Sequence, residues 1–309
     1  MTTDDAIAVV GHAAGARFEE VAVLQAGEVS HAAVVADETG TRWVLKWWPQ
    51  ASGEQDSRAW VERAASRVAR LRDRGYPAPH YQLIAEEHGL LAVIQQLLPG
   101  TPPVPLGAGH VDELVRLNEL QAGTQQDDGA WGAYLAGTLL QGADGYCLHE
   151  PMRRHSAASA ALLERVVEVG RATDPAVLPG GDLVHLDFHH LNVLADGDRI
   201  TGVVDCEGIR PGDRVFDLVT LLFCSREARL GAEAEERLWR QLRALRALPV
   251  LRAYLAHMAL RLASWSIVHH DDATAGRWIA HAGGWLDRSM PGRPAGRRPP
   301  AGGATSGAS

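Results

Sequence analysis

Gly181–Leu222 reads GDLVHLDFHHLNVLADGDRITGVVDCEGIRPGDRVFDLVTLL. Short apolar runs alternate here with loops rich in Asp, Asn and Gly, so the segment predicts short strands and loops over Asp182–Asp205. VLADGDRITGVV reads as a small hairpin, and Asp205 stands at the end of its second strand. Asp187 and Asn192, five residues apart on one loop, supply a carboxylate and an uncharged oxygen donor. Phosphoryl transfer from a nucleotide needs a carboxylate beside the attacking hydroxyl, oxygen ligands for magnesium and a cation near the phosphates. Asp187, Asn192 and Asp205 match the first two needs.

The cation has a candidate upstream. The first hundred residues read as strand-rich: Val21–Gln25, then AAVVAD, a DETG turn, and WVLKWW with Lys46 inside it. A helix is predicted over Gln55–Arg72, with Trp60, Ala64, Val68 and Leu71 forming an apolar stripe, and Glu62 is the candidate partner for Lys46. Gly75 and Pro77 end that helix, and YQLIAEEHG with LLAVIQQLL predicts a further hairpin. Beyond Pro99 the pattern turns helical, at Val111–Gln121, Ser159–Gly170, 231–246, 248–270 and 272–288, with Trp239, Trp265, Trp278 and Trp285 as anchors. From Ser289 the composition is Pro, Gly and Arg with almost nothing to bury, which predicts a disordered tail.

Taken in order, HLDFHHLN, VVDCEG and GDRVFDL resemble the signature of the aminoglycoside phosphotransferase and choline-kinase-like family. The resemblance covers about residues 20–270 and implies an α+β, bilobal, protein-kinase-like fold. Residues 1–98 would form the nucleotide-binding lobe, and 99–288 the catalytic and acceptor-binding lobe. By the same resemblance Asp187 is the catalytic aspartate, Asn192 and Asp205 hold magnesium, Lys46 grips the nucleotide phosphates and Glu62 pairs with it. His185 is expected to order the catalytic loop. The loop Gln25–Ser30, with Gly27 and Ser30, would cover the phosphates. Val44 and Ile94 would flank the adenine or guanine ring, and Gln95, Gln96 and Leu97 would form the hinge beside it. ATP or GTP is the implied donor and Mg2+ the implied metal. Leu186, His190, Leu191 and Cys206 depart from the family's usual residues, and all lie between the positions with roles.

Composition narrows the acceptor. The chain has 309 residues, 46% hydrophobic, with 30 Lys plus Arg against 38 Asp plus Glu and a net charge of -8, which argues against a nucleic-acid backbone partner and for a cationic ligand. Asp127, Asp128, Glu207, Asp271 and Asp272, with Asp187, are the expected acceptor-binding carboxylates. The expectation is therefore an O-phosphotransferase acting on a cationic antibiotic, such as an aminoglycoside or a basic cyclic peptide. A metabolic kinase for choline, homoserine or methylthioribose is the alternative. No stretch matches the long activation loop of protein kinases ending in Ala-Pro-Glu. Three cysteines without paired spacing fit a reducing compartment, no apolar run is long enough to span a bilayer, and the start has no basic leader, so the expected location is cytoplasmic. H-x-D-x-H-H at His185–His190 also admits a metal-dependent hydrolase, though that reading leaves Lys46 and Asp205 unexplained. A kinase-like binding module without catalysis is the third alternative.

Overall fold

A five-stranded antiparallel sheet in the order β1-β2-β3-β5-β4 carries the first part of the chain. Its strands are β1 (Phe18–Val23), β2 (His31–Asp37), β3 (Arg42–Pro49), β4 (Tyr81–Glu87) and β5 (Leu90–Gln96). The structure is a computed structural model that describes residues 2–24, 31–49, 58–143 and 145–289. The described parts form two compact units, one from Met1–Tyr134 and Pro175–Ala247, the other from Leu135–Asp174 and the stretch beginning at Leu248.

In the first unit, strand alternation divides the sheet into two chemically different faces. Leu45, Trp47, Ala92 and Ile94 pack with Ala6, Val9 and Val10 of α1 (Thr3–Ala14). On the other face Trp48, Leu91 and Val93 pack with Val61 of α2 (Arg58–Asp73). Lys46 pairs with Val93 across β3 and β5 and shares the α2 face. The Asp37–Thr41 turn closes β2 onto β3, with Asp37 accepting from the Thr39 and Thr41 backbone N–H groups.

α1 was not expected from the pattern. It is fixed by a capping box in which Thr2 Oγ1 accepts from Asp5 N at 3.3 Å and Asp5 Oδ2 accepts from Thr2 N at 2.7 Å. Its buried residues Ala6, Val9 and Val10 follow the i, i+3, i+4 spacing of one helix face.

The signature segment folds as two small hairpin-like ladders. β6 (Asp182–Val184) pairs with β9 (Arg210–Gly212), and β7 (Val193–Asp196) pairs with β8 (Arg199–Val203). A Cβ at Gly212 would lie 2.6 Å from Val184 Cγ2 and 2.7 Å from Trp131 Cε3, so only glycine lets these elements approach. α7 (Val215–Phe223) follows and is buried along its whole length. α3 (Ala108–Glu119) and α8 (Ala232–Leu245) complete this unit. Trp239 of α8 is buried, as its anchoring role requires.

The second unit is helical. α5 (His149–His155), α6 (Ala157–Ala172), α9 (Leu248–His269) and α10 (Asp272–Arg288) pack together, with Leu251, Tyr254, Leu255, Met258, Ile279 and Trp285 buried. α4 (Ala130–Gln141) contributes residues to both units. Trp265 and Trp278 are only half-buried, so the tryptophan anchoring expected of all four residues holds fully for Trp239 and Trp285. Among the described residues no helix is long and apolar enough to cross a membrane. The expected tail from Ser289 lies, apart from Ser289 itself, outside the described residues.

Candidate active site

Lys46 is buried, and its Nζ donates to Asp205 Oδ1 at 2.5 Å and Glu207 Oε2 at 2.7 Å. Burial pulls the ammonium pKa down, but the Glu207 and Asp205 charges and hydrogen bonds more than offset it, so Lys46 is held firmly protonated. Glu207 is itself buried and fully engaged: its Oε1 accepts from Gln95 Nε2 at 2.6 Å and from Tyr81 Oη at 3.3 Å. Lys46 and Gln95 reach one carboxylate because β3 and β5 present both on the same sheet face.

This arrangement corrects two expectations. Glu62 Oε1 accepts from Arg58 Nε at 2.7 Å, one turn earlier on α2, and its side chain is half exposed. The carboxylate on Lys46 that the sequence places on α2 comes instead from Glu207. The structure does not place Glu207 where the acceptor expectation put it: its side chain is buried at 4% exposure and turned toward Lys46, Gln95 and Tyr81 rather than toward solvent. The turn that follows Asp205 explains it: Asp205 adopts φ 62, the left-handed region, and Cys206–Gly208 forms a single 3-10 turn. That reversal breaks the strand's alternation and turns Glu207 inward.

Asp187 and Asn192 come together as the spacing predicts. Asn192 Nδ2 donates to Asp187 O at 2.9 Å and to Asp187 Oδ2 at 3.2 Å. His185 is buried and orders this loop: its Nε2 lies 2.9 Å from Val204 O, and its Nδ1 accepts from Asp187 N at 3.3 Å. The tautomer follows, with the proton on Nε2, and one ring ties the Asp187 loop to the strand that delivers Asp205. Asp205 is held in its ionised form chiefly by the charge of Lys46, against the effect of burial.

Asp217 braces the loop from beneath. Its carboxylate accepts from His185 N at 2.8 Å, Leu186 N at 3.0 Å and Gln121 Nε2 at 2.7 Å. Two successive backbone N–H groups can meet one carboxylate because Leu186 adopts φ 71. Glycine adopts that left-handed conformation without penalty; here a leucine bears the strain. Burial raises the Asp217 pKa to about 6 despite those donors. Asp213, also buried, forms a two-pronged ion pair with Arg246 at 2.6 and 2.8 Å and accepts from Val215 N, a structural role that closes the GDRVFDL turn.

The nucleotide-contact expectations divide. Val44 sits two residues before Lys46 on β3 and so shares its face. Ile94 does not: it is buried against α1 on the opposite face, because it stands one residue from Gln95. Gln95 is spent on Glu207, and Gln96 Oε1 accepts from Arg72 Nη1 at 2.9 Å and His80 N at 3.3 Å. Leu97 is half-buried just past β5. Gly27 and Ser30 lie outside the described residues.

The other expected acceptor carboxylates have local work. Asp127 accepts from Gly129 N and Gly180 N, Asp128 from Ala130 N, and Asp271 caps α10 by accepting from Thr274 N at 2.7 Å. Asp272 stands in the first turn of α10 with its carboxylate 3.8 Å from His155 Nδ1. All four are exposed. Asp127 and Asp128 belong to the first compact unit, Asp271 and Asp272 to the second.

The donors present fit magnesium. Asp205 and Asn192 offer hard oxygen donors, and the Asp205 side chain is 45% exposed although Lys46 holds Oδ1. With Asn192 Nδ2 fixed on Asp187, the amide oxygen is the atom available to a metal. A zinc hydrolase site does not form: His185 spends both ring nitrogens within the protein, and no group of three or more His, Cys, Asp or Glu among the described residues could hold a metal.

The sequence matches the phosphotransferase enzyme family model, APH, over residues 21–254, and the chain belongs to that family. It is thus a small-molecule phosphotransferase with the mixed α+β, kinase-like fold its signature implied. Among solved structures it is similar to a thermostable mutant of aminoglycoside phosphotransferase APH(4)-Ia in ternary complex with AMP-PNP and hygromycin B. That match has 20% identity, covers 93% of this chain and 99% of the other, and has a TM-score of 0.67. An amicoumacin kinase in complex with AMP-PNP, Ca2+ and Ami matches at 14% identity over 87% of this chain and 90% of the other, with a TM-score of 0.61. Macrolide 2'-phosphotransferase MphH from Brachybacterium faecium matches at 17% identity over 90% and 97%, with a TM-score of 0.54. No curated protein sequence matches the chain.

Proposed function

We propose that this chain transfers the γ-phosphate of ATP or GTP to a hydroxyl of a small, cationic antibiotic, and so confers resistance in the cytoplasm. The observation that carries the reading is the convergence of Lys46, Asp187, Asn192 and Asp205 in one compact unit. In this reading residues 1–98 serve the nucleotide and 99–288 serve catalysis and the acceptor. Asp187 orients the acceptor hydroxyl and takes its proton as the new O–P bond forms. Lys46, kept protonated by Glu207 and Asp205, neutralises charge developing on the phosphates. Mg2+ held by Asn192 and Asp205 would screen the phosphate oxygens. His185 holds the two halves of the site in register, and Val44 offers an apolar surface to the nucleotide ring.

The solved relatives support the donor and the acceptor class, since two hold AMP-PNP, one of them with Ca2+, and the other with hygromycin B. The net charge of -8 favours a cationic acceptor. Asp127 and Asp128, in the same compact unit as Asp187, remain exposed although each has a local role, and can offer carboxylates to it. The test is to incubate purified protein with ATP or GTP and a panel of aminoglycosides, basic cyclic peptides, macrolides, choline and homoserine, and read acceptor mass. Gain of one phosphate on a cationic antibiotic supports the reading. Gain only on choline or homoserine would replace the antibiotic by a metabolic acceptor and leave the phosphotransferase in place.

A further inference from the structure

We propose that His189 is a positioning residue for Asp187, an inference that rests on the phosphotransferase reading above. His189 follows Asp187 by two residues, and its backbone N donates to Asp187 O at 3.0 Å, which closes a tight turn between them. Its Nδ1 accepts from Leu191 N at 3.2 Å. That bond fixes the tautomer of the neutral ring: the proton sits on Nε2, which lies 3.3 Å from Asp187 Oδ2. Asn192 Nδ2 donates to the same Oδ2 at 3.2 Å, so nitrogens of two side chains from one loop lie within 3.3 Å of one oxygen.

Donors on Oδ2 lower its proton affinity relative to that of Oδ1 and stop rotation of the carboxylate about its χ2 bond. The acceptor's proton is thereby directed to Oδ1. In the step itself the acceptor oxygen bonds to the γ-phosphorus, the bond from that phosphorus to the bridging oxygen breaks, and the nucleoside diphosphate leaves with that electron pair. The hydroxyl proton passes to Asp187 Oδ1, and His189 keeps its own. The ring is half-buried beside a partly exposed Asp187, so the contact is shielded from full hydration without being sealed from an acceptor.

A capping role for the His190–Asn192 turn is the competing account, because Nδ1 alone would serve it. Two substitutions separate the two. In His189→Asn the amide oxygen can replace Nδ1 and keep the turn, but the side chain is too short to reach Asp187 Oδ2. His189→Gln places an amide N–H near the position of Nε2. Phosphate release from Mg-ATP and Mg-GTP, and phosphorylation of the antibiotic panel, would be followed together with nucleotide KM and Tm. The expected result for His189→Asn is a kcat lower by about 10- to 100-fold with nucleotide KM and Tm unchanged. His189→Gln should recover to within about threefold of the parent. Parent-like kcat in His189→Asn would overturn the inference alone, as would equal loss in both variants with a fall in Tm. A parent protein that neither releases phosphate nor phosphorylates any compound would overturn the phosphotransferase reading, and this inference with it.

Discussion

The two faces of the five-stranded sheet are built from the same strands and do opposite things. Toward α1, β3 and β5 present Leu45, Trp47, Ala92 and Ile94, an apolar face with no charge among them. Toward α2 the intervening residues include Lys46 and Gln95, which meet Glu207. A charged group is tolerated inside only because it is paired and hydrogen-bonded on every side. The contrast teaches that one strand can carry core and site at once, and that single-residue offsets decide which a side chain joins. Ile94 and Gln95 are neighbours in sequence and belong to different faces.

The largest effect that would sharpen this contrast is on the α2 face. Lys46→Met should lower kcat by roughly 10²–10³ through loss of the phosphate cation. It should also lower stability, since Glu207 would be left as an uncompensated buried charge. Glu207→Gln should raise nucleotide KM by about tenfold, while Glu62→Gln, which removes only an exposed pair with Arg58, should change it less than about twofold. Steady-state kinetics on both variants decides between the two carboxylates, and a larger loss in Glu62→Gln would restore the α2 assignment. On the α1 face, Ile94→Ala should cost about 2–5 kcal/mol in denaturant unfolding with kcat preserved below the transition. A changed nucleotide KM in that variant would return Ile94 to the nucleotide pocket.

A smaller effect comes from Asp217, beneath the catalytic loop. Its folded pKa, about 6, is above the ordinary 3.8, so its contribution to stability is fully present below pH 3.8 and is lost as pH rises toward 6. Asp217→Asn cannot titrate. The stability of the parent relative to this variant should therefore decline between pH 4 and 6 and level off above, measured by unfolding across that range. A relative stability flat across the window would show that the buried carboxyl has an ordinary pKa.

Much of this was legible in the residues. HLDFHHLN brings Asp187 and Asn192 together as its spacing requires, and the strand and helix order of the first hundred residues holds from β2 through β5. What was missed has local causes. The sequence points Glu207 toward the acceptor because it shows a charge but not its direction, and the left-handed Asp205 turns it inward. Asp271 looked like a ligand, although Asp-x-x-Thr at a helix start reads as an N-cap, and Asp127-x-Gly129 reads as a turn. The α1 helix is also legible after the fact, since Thr2 and Asp5 spell a capping box ahead of an apolar i, i+3, i+4 stripe. The departure at Leu186 is visible in the sequence; that it marks a left-handed residue whose own N–H and that of His185 both reach Asp217 requires the fold.

The central claim is that Asp187 receives the acceptor's proton in a site whose nucleotide is held by other groups. The most direct measurement is turnover of Asp187→Asn on a phosphorylated acceptor, with nucleotide Kd determined on the same preparation by titration of intrinsic tryptophan fluorescence. Trp48 is a built-in reporter, its ring centroid being 5.6 Å from Lys46 Nζ. Turnover should fall by roughly 10²–10⁴ while Kd stays within about threefold of the parent. Turnover within about threefold of the parent would contradict the assignment of the base.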